Sequence, residues 1–228
     1  MISNIRPAYD LAGNSALVRN RVLRNTYWLL ALSMIPTVLG AFIGVQAHLM
    51  MPRGIIGTLL FLAIAFGFIF GIQKTKDSGL GVALLLGFTF FMGLMLAPIL
   101  TYTLGFANGG NLIMAAFGGT GCILAVMASV ATVSKRDFSM MGKWLFAGVI
   151  VLILASIANI FLHMSVLSIV ISVMAIAIFS AYILYDVQQI VNGGETNYIS
   201  ATLSIYLDVY NIFVNLLSLL GILGGERD

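Results

Sequence analysis

Long apolar runs, separated by short polar breaks, dominate the chain from residue 25 onward. Each run is close to the ~20 residues that a helix needs to cross ~30 Å of hydrocarbon. Strands of a membrane β-barrel would instead show short segments of alternating polarity. The pattern therefore predicts an all-α protein whose seven membrane-spanning helices lie at 25–47, 54–73, 80–102, 111–133, 144–163, 166–190 and 199–223.

The breaks between the runs define the domain organisation. Most of them contain glycine, proline or several polar residues, but the fifth is only His163, Met164 and Ser165, which predicts a tight turn between two helices. We expect a short cytoplasmic segment at 1–24, one seven-helix transmembrane domain at 25–223, and a short tail at 224–228.

Composition supports the membrane assignment. Hydrophobic residues make up 61% of the chain and charged residues only 8%, whereas soluble domains have about 45–50% apolar and about 25% charged residues. A soluble fold of this size could not hide so much apolar surface, so the lipid bilayer must be a partner of the outer surface. Despite the net charge of +3, we expect no nucleic-acid partner, because the basic residues cluster next to the apolar runs.

The distribution of basic residues predicts the orientation in the membrane. Loops on the cytoplasmic side carry an excess of Lys and Arg. The first break contains one such residue, Arg53, and the third and fifth contain none. We therefore expect the N-terminus in the cytoplasm and, after seven crossings, the C-terminus outside. The N-terminal segment and the second and fourth breaks together contain Arg6, Arg19, Arg21, Arg24, Lys74, Lys76, Lys135, Arg136 and Lys143.

Two pairs of glycines predict where helices approach closely. Gly40 and Gly44 lie four residues apart in the first run, and Gly67 and Gly71 do so in the second. Small residues at this spacing let the backbones of membrane helices pack against each other.

Two acidic residues lie well inside predicted spans, Asp186 in the sixth and Asp208 in the seventh. An ionisable group at the centre of a bilayer costs at least ~2.5–3.5 kcal/mol, which makes both residues functional candidates. They are equally far in sequence from residue 197, in the turn between the two helices. With a rise of 1.5 Å per residue, their depths are expected to agree within roughly one helical turn.

Polar residues accompany both acids at helical spacing. Such stripes face one another or a watery cavity, because in lipid their groups would remain unsatisfied. We therefore predict that the last helix is central and that the other six pack around it. The sixth helix carries Tyr182, Tyr185, Asp186 and Gln189 on one face, and the last helix carries Ser204, Asp208, Asn211, Asn215 and Ser218.

Two neighbouring carboxylates have a definite chemistry. At ~4 Å they repel by about 4 kcal/mol at an effective dielectric near 20, so a close pair would share one proton and titrate as a unit. When ionised, the pair would offer oxygen ligands to a hard cation such as Ca²⁺. The alternative is that Asp186 and Asp208 only satisfy donors on neighbouring helices. Tyr198, Tyr206 and Tyr210 are expected to be interfacial anchors or hydrogen-bond partners of the acids.

The sequence does not predict an enzyme. Neither Gly-x-Ser-x-Gly nor His-Glu-x-x-His is present, and these motifs mark common hydrolase sites. Asp208 follows Ile205-Tyr206-Leu207 rather than the Gly-x-Gly of intramembrane aspartyl proteases. We therefore expect no catalytic residues and no cofactor beyond a transported or bound Ca²⁺.

The C-terminal segment resembles a known family. The stretch from Tyr182 to Gly221 is similar to the C-terminal signature of the Bax inhibitor (TMBIM) family, and it reads YILYDVQQIVNGGETNYISATLSIYLDVYNIFVNLLSLLG. Its NGGETNYI turn and YNIF-x-x-LL-x-x-LG ending are most similar to the bacterial YccA-like branch. The segment from Val22 to Tyr27 also resembles that branch, and the family's seven spans with a central last helix match the predicted plan.

The resemblance implies two roles. In relatives of the calcium-leak type, an aspartate pair on the last two helices senses pH and gates a passive Ca²⁺ path, and Asp186 and Asp208 match that pair. The YccA-like branch is associated with binding and restraining the membrane protease FtsH and its partner complex. The resemblance thus implies a multi-pass protein of the bacterial inner membrane that conducts Ca²⁺, modulates FtsH, or does both. The alternative is a purely regulatory protein without transport.

One feature of the leak-type relatives is missing. They pair an aspartate with an arginine in the second helix, whereas the span 54–73 has no interior basic residue. Arg53 precedes this span, and Lys74 and Lys76 follow it. The closed-state latch of those relatives is therefore not matched here.

Overall fold

A computed structural model of the chain describes residues 6–48, 55–134 and 136–225. Over these ranges the regular structure is helical throughout, without strands. The helices are α1 (Arg6–Gln46), α2 (Ile55–Thr75), α3 (Gly79–Leu104), α4 (Gly109–Val133), α5 (Met141–Leu162), α6 (Ser165–Val191) and α7 (Tyr198–Gly224).

All seven helices are long and apolar enough to cross a membrane, which confirms the predicted spans. The start of the first helix differs from expectation. The first span is predicted to begin at residue 25, whereas α1 is continuous from Arg6. At 1.5 Å per residue its 41 residues extend about 60 Å, roughly twice the thickness of the hydrocarbon. Its apolar part, Leu17–Gln46, is the span itself. Residues 1–5 of the predicted N-terminal segment and 226–228 of the predicted tail lie outside the described residues.

Hydrogen bonds show which helix ends lie on the same side of the bundle. Near the start of the apolar span of α1, the Arg19 guanidinium donates to the Val191 carbonyl at the end of α6. Asn197, which precedes α7, donates to the Lys76 carbonyl between α2 and α3. We call this end the basic side, because Arg19, Lys74, Lys76 and Arg136 lie there. The other end is called the opposite side.

The last helix crosses the bundle completely. Asn108, in the loop between α3 and α4, donates to the Gly224 carbonyl at 2.6 Å. Since α7 starts on the basic side and this loop lies on the opposite side, the 27 residues of α7 must traverse the full thickness. The basic part of α1 around Arg19 and the end of α7 therefore lie at different ends of the bundle, as an odd number of spans predicts.

The break between α5 and α6 is the tight turn that the sequence predicts. Only His163 and Met164 separate the helices, and His163 has a left-handed backbone with φ 51°. The Asn159 amide accepts from the Met164 N–H at 3.1 Å and donates to the Ser168 hydroxyl at 2.7 Å. One side chain thus satisfies groups that the abrupt reversal exposes.

The position of α7 is central, but the predicted ring of six helices is wrong for one of them. Helix α7 contacts α1, α2, α3, α4 and α6, whereas α5 packs only on α6 among the described residues. The physical reason is that α5 is apolar on nearly every face, so lipid can solvate it. Its large exposed side chains include Trp144, Phe146, Leu154 and Phe161.

Glycines bring α1 and α3 into close contact. A Cβ at Gly40 would collide with the Phe90 carbonyl, and a Cβ at Gly93 would collide with the Thr37 carbonyl. A Cβ at Gly44 would lie 2.8 Å from the Ala97 Cβ, so the predicted role of the Gly40 and Gly44 pair is confirmed. The second predicted pair, Gly67 and Gly71, makes no backbone contact of this kind.

Helix α2 shows why the second pair differs. A Cβ at Gly67 would meet nothing within 4 Å, and at Gly71 it would touch only the Leu84 side chain at 3.3 Å. The same spacing of small residues thus occurs on a packed helix and on one whose glycine faces open space.

This difference gives a matched test of the α1–α3 contact. We expect Gly93→Ala to destabilise the folded protein by about 1–3 kcal/mol, because overpacking a close backbone contact forces the helices apart. Gly67→Ala is the control and should leave stability unchanged or slightly higher, since Ala favours helix. Thermal unfolding of the purified proteins in detergent measures both. Equal midpoints for the two variants would contradict the proposed packing.

Candidate functional site

The site is built from the hairpin of α6 and α7. A turn of six residues, 192–197, joins the helices and sets them antiparallel. Asp186 lies a little more than one turn before the end of α6, and Asp208 lies almost three turns into α7. The structure brings the two carboxyl groups within hydrogen-bonding range of each other. Asp208 is 5% exposed, and Asp186 is half-buried.

Neighbouring helices do not satisfy this pair. Among the described residues, no donor on α1–α5 forms a hydrogen bond with either carboxyl group, and Asp208 Oδ2 is buried without any partner. The alternative in which the two acids serve only to satisfy donors of the bundle is therefore not supported. A buried carboxylate oxygen without a donor is costly as an anion, whereas a carboxyl group that holds a proton needs less compensation.

Aromatic side chains form a row on α6 beside Asp186. The Tyr182 ring lies between those of Phe179 and Tyr185, with centroids 6.2 Å and 6.4 Å away. The Tyr182 hydroxyl also lies within electrostatic range of both carboxyl groups. Tyr185 packs on the start of α5, where a Cβ at Gly142 would lie 2.8 Å from its hydroxyl.

Gln189 completes the predicted polar face of α6, and it is half-buried at the end of the helix. Its side-chain oxygen lies beside Gly194 in the following turn. Its backbone carbonyl accepts from the N–H groups of Gly194 and Glu195. Gln189 therefore belongs to the structure of the turn rather than to the contact between the acids.

The predicted stripe on α7 is only partly interior. Ser204, one turn before Asp208, is exposed, whereas Asn211, Asn215 and Ser218 are half-buried. The Asn211 amide donates to the Leu207 carbonyl and the Asn215 amide to the Asn211 carbonyl, both at 2.8 Å. The polar face thus runs from an exposed serine near the basic side to a buried acid and then to two asparagines that bond their own helix.

The acid pair would supply only part of the coordination that Ca²⁺ prefers. Ca²⁺ prefers six to eight oxygen ligands. Within the described residues, no cluster of three or more His, Cys, Asp or Glu side chains is present. Asp186 and Asp208 alone would therefore supply the charge, and any further ligands would have to be neutral oxygens or water.

The expectation for Tyr206 is wrong. It is neither an interfacial anchor nor a partner of the acids, because it is 1% exposed and its hydroxyl lies 2.9 Å from the Thr37 hydroxyl of α1. The physical reason is its position two residues before Asp208, which places it on a different face of α7. Tyr210 stacks on Tyr206 with centroids 6.3 Å apart.

Gln188 was not singled out by sequence reasoning. It is 4% exposed, accepts from the Phe138 N–H at 2.6 Å and donates to the Arg136 carbonyl. This amide ties the α4–α5 loop to the end of α6. In the same loop, hydrogen bonds from Ser139 lower the pKa of Asp137. No sequence signal separates Gln188 from its neighbour Gln189.

Asn197 was also overlooked, although a signal was present. It immediately precedes α7 and accepts from the N–H groups of Ile199 and Ser200 at 2.9 and 3.1 Å, as a helix N-cap does. Its amide also donates to the Lys76 carbonyl at 3.1 Å and to Asp77 Oδ1 at 2.8 Å. An asparagine just before an apolar helix is a recognised N-cap pattern.

The fold is that of a multi-pass membrane protein with seven spans. Its last helix is central, and the final hairpin carries a pair of acids. The chain belongs to the Bax inhibitor family, since the family model described as inhibitor of apoptosis-promoting Bax1 matches residues 19–225. The family that the C-terminal signature implies is thereby confirmed.

Individual relatives narrow the comparison. The chain is 39% identical over 207 residues to the modulator of FtsH protease YccA of Escherichia coli K12, covering 91% of this chain and 92% of that protein. A protein of Escherichia coli O6:H1 with the same identity and coverage is named inner membrane protein YccA. An uncharacterized membrane protein of Vibrio cholerae is 38% identical, covering 92% and 93% of the two chains.

The turn beside the acids offers a stability test. We expect Asn197→Ala to lower stability by about 0.5–2 kcal/mol, because it removes the N-cap of α7 and the link to the α2–α3 loop. Asn192→Ala is the control, since Asn192 is exposed in the same turn and its side chain bonds no described residue. Thermal midpoints in detergent compare the two, and a larger loss for Asn192→Ala would refute the assignment.

Proposed function

We propose that this protein is a pH-sensitive passive leak for Ca²⁺ or another cation, gated by Asp186 and Asp208, and that it also modulates the membrane protease FtsH. The observation that carries the leak is the contact between two acids in a buried position, with no donor from the surrounding helices. The role proposed here is not enzymatic.

The proposed gating follows because protons and cations compete for the same carboxylate oxygens of Asp186 and Asp208. Two buried carboxylates in contact cannot both remain charged without compensation, because little water screens their repulsion. A proton held between them removes one charge, and a cation that passes between them would neutralise both. Protonation therefore closes the site to cations, and loss of the proton opens it. The carboxyl groups act as one coupled unit.

The route to the acids is proposed to start on the basic side. Exposure decreases from Ser204 to half-buried Asp186 and then to buried Asp208. Beyond the acids, neither Asn211 nor Asn215 accepts a hydrogen bond at its amide oxygen from another described residue. These oxygens offer neutral ligands to a cation that leaves Asp208 toward the opposite side.

Flux measurements on single substitutions test the leak. In proteoliposomes loaded with a Ca²⁺ indicator, we expect the parent to conduct more at pH 8 than at pH 6, because fewer pairs then hold a proton. Asp186→Asn and Asp208→Asn should each lose most of this pH dependence. Asp137→Asn removes an exposed acid from the α4–α5 loop and serves as the control, with the parent's profile. Equal flux in all four proteins would remove the acid pair from the mechanism.

The protease role is supported by a relative's name and by the shape of α1. The Escherichia coli K12 relative is a modulator of FtsH protease. Basic residues cluster at the start of α1, which favours a cytoplasmic N-terminus in the bacterial inner membrane. Helix α1 begins at Arg6, eleven residues before the apolar span at Leu17. We propose that this extension presents the N-terminus to the cytoplasmic entrance of the protease.

A truncation separates the two roles. Removing residues 2–16 should relieve inhibition of FtsH in a reconstituted degradation assay with a membrane substrate, while Ca²⁺ flux remains at the parent level. A variant with the same residues in scrambled order keeps the length and composition and serves as the control. If the truncated protein inhibits degradation as strongly as the parent, the N-terminal extension is not the contact.

A second function is purely regulatory. It is favoured by the relative's name alone and requires no transport. In that case Asp186→Asn and Asp208→Asn would leave both degradation and flux unchanged.

A further inference from the structure

Helix contacts divide the bundle into two groups. In the first, α3 packs on both α1 and α2, and the glycine contacts make the α1–α3 pair especially close. In the second, α6 packs on α4, α5 and α7. We call these the α1–α3 group and the α4–α7 group. Both acids belong to the second group, so their contact does not depend on how the two groups are arranged.

Several hydrogen bonds join the groups near the basic side. Arg19 donates to the Val191 carbonyl at the end of α6. At the start of α7, Asn197 donates to Lys76 and Asp77, and Ser200 donates to the Gln73 side chain at 3.1 Å. Thr202 approaches the Thr26 carbonyl at 3.3 Å, but its single hydrogen already bonds the Tyr198 carbonyl at 2.6 Å.

Tyr206 makes the deepest link between the groups among the described residues. Its side chain is 1% exposed, its ring meets Phe88 of α3 edge-on with centroids 6.2 Å apart, and its hydroxyl lies 2.9 Å from Thr37 Oγ1. A weaker contact of 3.4 Å joins the hydroxyl to the Thr89 carbonyl. One phenol therefore touches both α1 and α3 near the middle of the membrane.

The direction of the hydrogen bond follows from counting hydrogens. The Thr37 hydroxyl donates its only hydrogen to the Ser33 carbonyl at 2.8 Å. The Tyr206 hydroxyl must then donate to Thr37 Oγ1, which has a free lone pair. In lipid, apolar contacts between helices gain no hydrophobic driving force, so helix arrangement depends on close packing and on buried hydrogen bonds such as this one.

We propose that the Tyr206 hydroxyl is a latch that holds the α4–α7 group against the α1–α3 group, and that the groups rock against each other when it is released. The latch concerns the scaffold and does not depend on the proposed leak. The links near the basic side would hold the groups together there, and the short α3–α4 loop would hold α3 to α4 at the opposite side, so separation is expected between the outer helices α2 and α5. The hairpin that carries Asp186 and Asp208 would move as one piece.

Distance measurements between spin labels test the latch. In a Cys122→Ala background of the full chain, one label pair at Ile56 and Phe161 reports on the opposite side, and one at Lys74 and Val133 reports on the basic side. Tyr206→Phe removes a single oxygen, and we expect it to broaden or lengthen the Ile56–Phe161 distribution more than the Lys74–Val133 distribution. An unchanged Ile56–Phe161 distribution would overturn the latch.

Two further variants make the result specific. Tyr210→Phe deletes a hydroxyl one turn farther along α7 that bonds no described residue, and it should leave both distributions as in the parent. Thr37→Val removes the acceptor and should shift the Ile56–Phe161 distance in the same direction as Tyr206→Phe. The double variant should resemble Tyr206→Phe alone. A double change equal to the sum of the single changes would show that the two hydroxyl groups act independently, and it would overturn the proposal.

Discussion

The arrangement of this bundle depends on keeping the polar face of α7 away from lipid. Asp208, Asn211 and Asn215 lie on a helix that must cross hydrocarbon, where unsatisfied polar groups cost several kcal/mol each. Five helices contact α7 and shield most of this face, while the wholly apolar α5 is left at the periphery on α6. The same constraint brings Asp186 to Asp208, because α6 is joined to α7 by a short turn and is its most extensive neighbour. The shielding of this face and the pairing of the two acids thus both follow from the need to keep polar groups out of lipid.

Two kinds of contact then fix the geometry around the central helix. Close backbone packing at Gly40 and Gly93 sets the distance between α1 and α3. Hydrogen bonds set the rotation and depth of α7, through Asn197 at its start, Tyr206 about two turns into it and the Gly224 carbonyl at its end. The acids themselves contribute no bond to this framework. Because the acids do not hold helices together, a change in their protonation would leave the bundle intact, as the proposed switch requires.

Much of this could be predicted from the sequence, because hydropathy and helical rise report on depth in the membrane. The seven spans and the tight turn at His163 follow from these quantities, and the polar stripes on the last two helices add the closeness of Asp186 to Asp208. Which residues contact a neighbouring helix was harder to predict. Nothing in the glycine spacing distinguishes Gly40, which touches α3, from Gly67, which faces open space. Nor does periodicity show which partner a buried polar group bonds. It does not reveal that Tyr206 bonds Thr37 rather than the acids, or that Gln188 holds the α4–α5 loop.

The placement of both acids on the final hairpin has a consequence for biogenesis. Chains are made from the N-terminus, so α6 enters the membrane while α7 is still being synthesised. During that interval Asp186 lies in a bundle that lacks its partner and its central helix, and a lone acid in this setting is unfavourable. Arrival of Asp208 completes the site and the core at the same time. A chain that ended before Tyr198 would therefore leave Asp186 unpaired in a bundle without its centre, because α7 alone supplies both the second acid and the central packing.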